Sequence, residues 1–355
     1  MTALGALIAE QIRDGGPMTL ADYMSICLGH PAHGYYRKKD PLGAQGDFTT
    51  APEISQMFGE MIGLWLASLW VEDGRPERFV LAELGPGRGT LMADILRSAA
   101  VVPGFVEAAE IHLVETSPVL RAKQAETLRP HSPNWSDDVS GLPDGPLYLV
   151  ANEFFDALPI RQFKKEGSGW AERVVGLDDT GALAFGFAPP LPMGALEGID
   201  IPESTLIETS APSEAIVEDI SERIAGHGGA ALIVDYGDWH GTGDTFQALE
   251  GHAPVDPLAK PGKADLTAHV RFQPLAKAAE RGGAAMAGFA TQGVFLERLG
   301  ITPRAERLAA ELSGAELDNH IAAHRRLLHP DEMGTLFKAM AIRPTQGTAI
   351  GFSDA

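Results

Sequence analysis

The run Glu83-Leu84-Gly85-Pro86-Gly87-Arg88-Gly89-Thr90 follows an apolar strand pattern, Phe79 to Leu84, and opens a helical pattern from Thr90 to about Ala99. Gly85, Gly87 and Gly89 let such a turn close tightly and let the backbone approach a ligand. The helix start adds unpaired N–H groups and the positive end of a dipole. The spacing is Gly-x-Gly-x-Gly, with Thr90 where a dinucleotide-binding turn has its third glycine, and no Gly-Lys-Ser/Thr is present. That disfavours a nicotinamide dinucleotide and a nucleoside triphosphate. Glu83 sharpens the reading, because a carboxylate there suits a cofactor carrying an ammonium and a sulfonium and repels a pyrophosphate. Taken alone, the glycines also fit a purely structural turn.

Further acids sit at the ends of the later strand patterns. Glu115 closes the second and can accept both hydroxyls of a ribose. Asp137 and Asp138 follow a possible third strand at Trp135; either can accept a hydrogen bond from an adenine amino group. After the fourth strand comes Asn152-Glu153-Phe154-Phe155-Asp156-Ala157-Leu158-Pro159. In open α/β sheets, ligands bind beyond the carboxyl ends of strands where the strand order reverses, and the first and fourth strands flank that point. Glu153 and Asp156 are therefore expected to face cofactor and substrate, with Asp156 as a helix cap the competing reading. Asp235 and Tyr236 end a fifth strand on the same edge. Asp47 and Glu53 belong to an N-terminal loop, with Phe48 and Thr50, that can close over the cofactor.

The elements that must position these groups alternate. Strands are expected at Phe79 to Leu84, Glu110 to Glu115, around Trp135, Leu147 to Ala151 and Gly229 to Asp235, with helices between, which reads as a mostly parallel, doubly wound α/β sheet. Residues 1–75 read as a helical N-terminal segment and lid. Leu4, Leu7, Ile8 and Ile12 share one helix face, Thr19 caps Leu20 to Leu28, and Pro52 opens a helix with Ile54, Met57, Phe58, Met61, Ile62, Trp65 and Leu69 at helical spacing. Residues 76–355 read as the catalytic domain, with insertions at about 163–207 and 240–330. The first holds a hairpin of about Glu172–Leu177 and Ala182–Phe187; residues 240–270 read as long loops. Helices are expected at about 272–281, 291–299, 303–312 and 316–328, and a closing strand at 336–342.

The chain has 355 residues, 48 acidic against 28 basic, for a formal charge of −20. That field repels nucleic acid and attracts cationic partners. Cys27 is the only cysteine, and no His-x-x-x-His or Cys-x-x-Cys pattern marks a metal site. No apolar run reaches the roughly 18 residues of a membrane span. The start of the chain lacks the basic opening of a secretory signal, so a reducing cytoplasm is expected.

Four groups of residues resemble the MidA family: Gly46 to Ser55, Glu83 to Thr90, Val114-Glu115-Thr116-Ser117-Pro118 and Asn152 to Pro159. The similarity continues through Val234 to Gly237, Asp256 to Leu258, Pro261 to Val270 and Thr291 to Gly293, nearly the whole chain. Arg271 departs from the pattern, which leads one to expect aspartate. The resemblance implies a class I fold, S-adenosylmethionine (SAM) as cofactor, and methylation of an arginine on a subunit of a complex I-type NADH dehydrogenase. The cofactor set is then Glu83, Gly85, Gly87, Gly89, Glu115, Ser117, Asp137, Asp138 and Asn152. Glu153 and Asp156 hold the guanidinium and receive its proton; Asp47, Phe48, Thr50, Glu53, Asp235 and Tyr236 line the substrate side. A small-molecule methyltransferase and an assembly chaperone with little catalysis are the alternatives. A nicotinamide oxidoreductase is disfavoured by Thr90 and Glu83.

Overall fold

A computed structural model of the chain describes residues 2–38, 50–199, 201–345 and 348–352. Asp47 and Phe48 lie outside the described residues. The main sheet runs Ala285–Thr291, Phe337–Arg343, Gly229–Asp238, Leu147–Asn152, Phe79–Leu84, Ala109–Val114, Asn134–Ser136, with Val270–Arg271 paired beside Gly237 and Asp238. The central pairs are parallel; Phe337–Arg343 is antiparallel to both neighbours. Phe79–Leu84 and Leu147–Asn152 are buried along their whole length, which is why they read as continuous apolar runs rather than as alternation.

The register decides where chemistry can sit. Leu84 pairs with both Val114 and Ala151, so three strands end at one level, while the longer strand Gly229–Asp238 passes it, Val234 pairing with Asn152. From Phe79–Leu84 the chain steps outward to Ala109–Val114 and Asn134–Ser136, then returns on the other side as Leu147–Asn152. The order reverses between the first and fourth strands, as expected.

The helix expected from Pro52 is broken. Ala51–Ile54 and Gln56–Glu72 are separate, and Ser55 between them is extended (φ −159°, ψ 134°), its side chain capping the second helix at Met57 N. Apolar spacing is blind to one extended residue, but the break turns the short helix toward the sheet edge. The long helix packs on Thr90–Ala99 through two small residues. A Cβ on Gly59 would meet Asp94 Cβ at 2.5 Å, and one on Gly63 would meet Ile95 O at 2.7 Å. Glu60 of the same helix is 3% exposed and pairs with Arg97 and Arg304.

Two regions differ from the sequence reading. The hairpin forms as Gly169–Leu177 and Leu183–Phe187, but within a five-stranded sheet that also takes Arg161–Glu166, Leu206–Thr209 and, from the N-terminal segment, Met18–Thr19. Residues 240–270, read as loops, hold a three-stranded sheet of Gln247–Glu250, Ala253–Val255 and Asp265–Thr267. Strands of three or four residues flanked by Gly and Pro are too short to show alternation. The N-terminal helices Ala3–Gly15 and Leu20–Gly29 bury Leu4, Ile8, Leu20 and Tyr23 with Ile160, Val175, Ala248 and Leu266. The N-terminal segment and the insertions therefore form one body over the sheet edge. The edge strand Ala285–Thr291 was not anticipated; its small residues leave room for Phe352, whose ring lies where a Cβ on Gly288 would fall. No helix among the described residues is long and apolar enough to cross a membrane.

A Cβ on Gly63 would run into Ser98 Oγ and also into the backbone of Ile95, which cannot swing aside, so Gly63→Val must push the two helices apart. We expect a loss of about 3 kcal/mol, read as a shifted urea midpoint at unchanged m-value; a loss below about 0.5 kcal/mol would show that the packing is not tight.

Candidate cofactor and acceptor site

The glycine loop leaves its strand as foreseen. Gly85, Gly87 and Gly89 have φ of 60°, 54° and 82°, values that L-side chains rarely adopt. A Cβ on Gly85 would meet the Phe154 ring at 2.9 Å. Gln124, fully buried, fixes the far side: its amide donates to Gly87 O at 2.8 Å and to Glu115 Oε2, and its oxygen accepts from Trp135 Nε1 at 2.8 Å. Sequence reading passed over Gln124 because a helical glutamine carries no signal until its neighbours are known.

A cavity of about 390 Å³, counting space open to solvent, is lined by Glu83, Gly85, Gly87, Arg88, Asn152 and Glu153, with Thr50, Pro52 and Glu53 closing it from the N-terminal side. Glu83 is 3% exposed and its Oε2 has no hydrogen-bond partner. Burial pushes this carboxyl up to about 8, against the stabilising Met92 amide. Asn152 is buried with its Oδ1 unpartnered, while its amide donates to Glu153 Oε1 at 3.1 Å. Orphaned buried acceptors are costly unless a ligand satisfies them, and an ammonium does so for both groups. The residues fit the amino-acid end of SAM.

Arg88 and Thr90 also line the cavity, where sequence reading did not place them. Thr90 Oγ1 donates to Glu53 Oε1 at 2.7 Å, and Arg88 lies 3.6 Å from Glu53 Oε2. Other expected cofactor residues sit around the cavity rather than in its wall. Glu115, one residue past its strand, accepts from Ser117 N at 2.7 Å, and Ser117 caps the helix Pro118–Thr127. Asp137 is exposed and paired with Arg121. Asp138 caps the turn Val139–Gly141 by accepting from Ser140, which holds its carboxyl below the usual range.

A second group of acids lies beyond the fourth strand. Glu153 takes a left-handed conformation (φ 51°) with its amide donating to Val234 O. Its Oε1 accepts from Ala51 N at 3.0 Å, so the short N-terminal helix touches it directly. Burial, with the neighbouring Asp156, pushes Glu153 up to about 7. Asp156 lies in the turn Phe155–Ala157, 7% exposed. Asp235 is fully buried behind it: Oδ2 accepts from Phe155 N and Asp156 N, and Oδ1 from Tyr236 N. Asp235 thus builds the turn that aims Asp156, and burial raises both carboxyls. Tyr236 faces Asp156 and Thr267 and packs edge-on against His269. Tyr36 donates to Asp265 Oδ1 at 2.9 Å, and Ala268 N donates to Asp156 O, joining the insertion to the turn. Arg271 stands apart from this cluster, its guanidinium donating to the carbonyls of His240 and Glu208.

Residues 61–290 match a family model described as "Putative S-adenosyl-L-methionine-dependent methyltransferase". The chain is 38% identical to the mouse (Mus musculus) protein arginine methyltransferase NDUFAF7, mitochondrial, over 95% of this chain and 83% of the mouse protein. It is 37% identical to the Homo sapiens counterpart over 95% and 82%. A superfamily member from Burkholderia thailandensis, crystallised with S-adenosyl-homocysteine bound, superposes with a TM-score of 0.84 at 29% identity, covering 99% of this chain and 95% of that one.

The raised carboxyls set a pH dependence. Between the unfolded value of 4.5 and the folded values of about 8 for Glu83 and about 7 for Glu153, the native chain binds more protons than the unfolded one. Stability is therefore full below pH 4.5 as far as these groups are concerned, and falls as pH rises to 8. Glu83→Gln should raise the unfolding free energy by about 2 kcal/mol at pH 8 and by nothing near pH 4.5, while weakening SAM binding at least about tenfold. Denaturant melts across pH, paired with calorimetry, check both; a variant that is less stable at pH 8 removes the argument.

Proposed function

The chain belongs to the MidA-type family of SAM-dependent methyltransferases, and from that premise we propose that it methylates an arginine of a protein substrate. The observation carrying this reading is Glu153 in the wall of the cofactor cavity, with Asp156 near enough to help raise its carboxyl. SAM supplies a methyl group on a sulfonium. What the chain must do is hold the nucleophile in line with it, which can provide much of the rate. A guanidinium is cationic and stays protonated in proteins, so its lone pair is unavailable until the charge is drawn to the other nitrogens. Paired carboxylates do that by bidentate hydrogen bonding. As the N–C bond forms and the C–S bond breaks, one proton leaves the guanidinium. Glu153, near 7, is matched to receive it at neutral pH. The formal charge of −20 favours a basic partner.

The relatives' name, protein arginine methyltransferase, supports arginine as acceptor. We infer that the substrate is a subunit of a complex I-type respiratory NADH dehydrogenase, as the family resemblance implies, and that the reaction takes place in the cytoplasm. Incubation with tritiated SAM and the purified NADH dehydrogenase subunits of the same source should place label on an arginine of one subunit. Label on a small molecule, or on no arginine, rejects this substrate class. Glu153→Gln should lower transfer at least about a hundredfold while calorimetric SAM binding persists. Unchanged transfer would remove Glu153 from the acceptor site.

A further inference from the structure

A second cavity adjoins the turn that carries Asp156. It measures about 450 Å³, counting space open to solvent, and shares no lining residue with the cofactor cavity. Phe155 of the turn lines it, and so does Ala268, whose amide donates to Asp156 O at 2.9 Å. Ile160, Pro274 and Leu275 add apolar wall.

Its charges are unevenly matched. Glu208 is engaged on both oxygens, accepting from Gln162 Nε2 and from the amide and hydroxyl of Thr245, and burial raises its carboxyl. Glu214 pairs with Arg281. Burial and Lys338 hold His269 below its ordinary value, so it is neutral at pH 7. Arg271 is the one full cation in the lining. It donates to two carbonyls, His240 O and Glu208 O, and no carboxylate lies within ion-pair distance of it among the described residues. Burial lowers its pKa, and Glu208 and Glu214 together do not offset that loss. A half-buried guanidinium with donors to spare and too little negative charge around it is matched by a carboxylate on an apolar stem. We propose that this cavity takes an aspartate or glutamate side chain close in sequence to the target arginine of the acceptor protein, with Arg271 holding its carboxylate. The proposal rests on the reading of the chain as a protein arginine methyltransferase, which puts the target guanidinium beside Glu153 and Asp156.

The test uses short glycine-alanine peptides with one central arginine, carrying Glu, Gln or Lys at each of three positions on either side. An extended peptide advances about 3.4 Å per residue, so the scan covers about 10 Å each way. Binding is measured by calorimetry with S-adenosyl-homocysteine present, and transfer with tritiated SAM. At one position or more, the parent chain should bind the Glu peptide about tenfold more tightly than the Gln peptide. Arg271→Gln should abolish that preference, and Arg271→Glu should turn it toward Lys. Glu214→Gln, which removes an acid from the same wall, should enlarge the preference for Glu about threefold. SAM affinity should stay within about twofold in all three variants, because the two cavities share no residue. A parent that binds no peptide, or that binds Glu and Gln peptides equally at every position, overturns the subsite, as does a preference that survives Arg271→Gln. A Glu preference in binding with no label on any arginine keeps the carboxylate subsite and rejects arginine as the acceptor. Should Arg271→Gln fail to fold, the parent's preference and the Glu214→Gln titration still decide.

Discussion

Carboxylates buried together repel one another and resist losing their water, and this constraint shapes the functional edge of the molecule. Glu83, Glu153, Asp156 and Asp235 gather where three strands end at one level. Asp235 is the group that Asp156 depends on. Its two oxygens accept from three backbone amides, and those bonds fold the turn that carries Asp156. The left-handed Glu153 sits one step earlier, its amide completing the ladder to Val234. A non-glycine residue held at positive φ costs roughly 1–3 kcal/mol and persists only where its surroundings over-determine it. Here the ladder bond, Ala51 and Asn152 do so.

The edge where these acids gather is closed by distant segments. Ala51 reaches Glu153, Glu53 reaches Thr90 and Arg88, Tyr36 reaches Asp265, and Ala268 reaches Asp156. Tyr36 and Ala268 belong to the apolar core that joins the first two helices to the insertion, whereas Ala51 packs into the core beneath the long helix. The same short helix touches the glycine-loop helix through Glu53 and the Glu153 carboxylate through Ala51.

Stability and function pull against each other at Glu83. Its buried, unpartnered oxygen is a liability to the folded chain and an asset to a cation-binding site. Glu60, equally buried, shows the structural counterpart. Two arginines meet it, and its carboxyl is lowered although burial alone would raise it. The difference between a structural acid and a ligand-facing acid is the supply of intramolecular donors.

The local pattern alone determined the strands Phe79–Leu84 and Leu147–Asn152, the glycine turn and the acids that follow them, because period, glycine spacing and strand ends are nearest-neighbour properties. It also carried the family resemblance that names the cofactor. What it left open depended on contacts across hundreds of residues. The break at Ser55, the three strands within 240–270 and the edge strand Ala285–Thr291 are too short or too small-residued to show a period. The roles of Gln124, Arg88 and Asp235 exist only once the sheet has set Trp135, Glu53 and the Phe155 turn beside them. Asp137 and Asp138 show the same limit in reverse: their place after the third strand was legible, but their partners, Arg121 and Ser140, were chosen by the packed chain. A side chain's type announces what it can bond; only tertiary structure decides whether water, a neighbour or a ligand is left to take the bond.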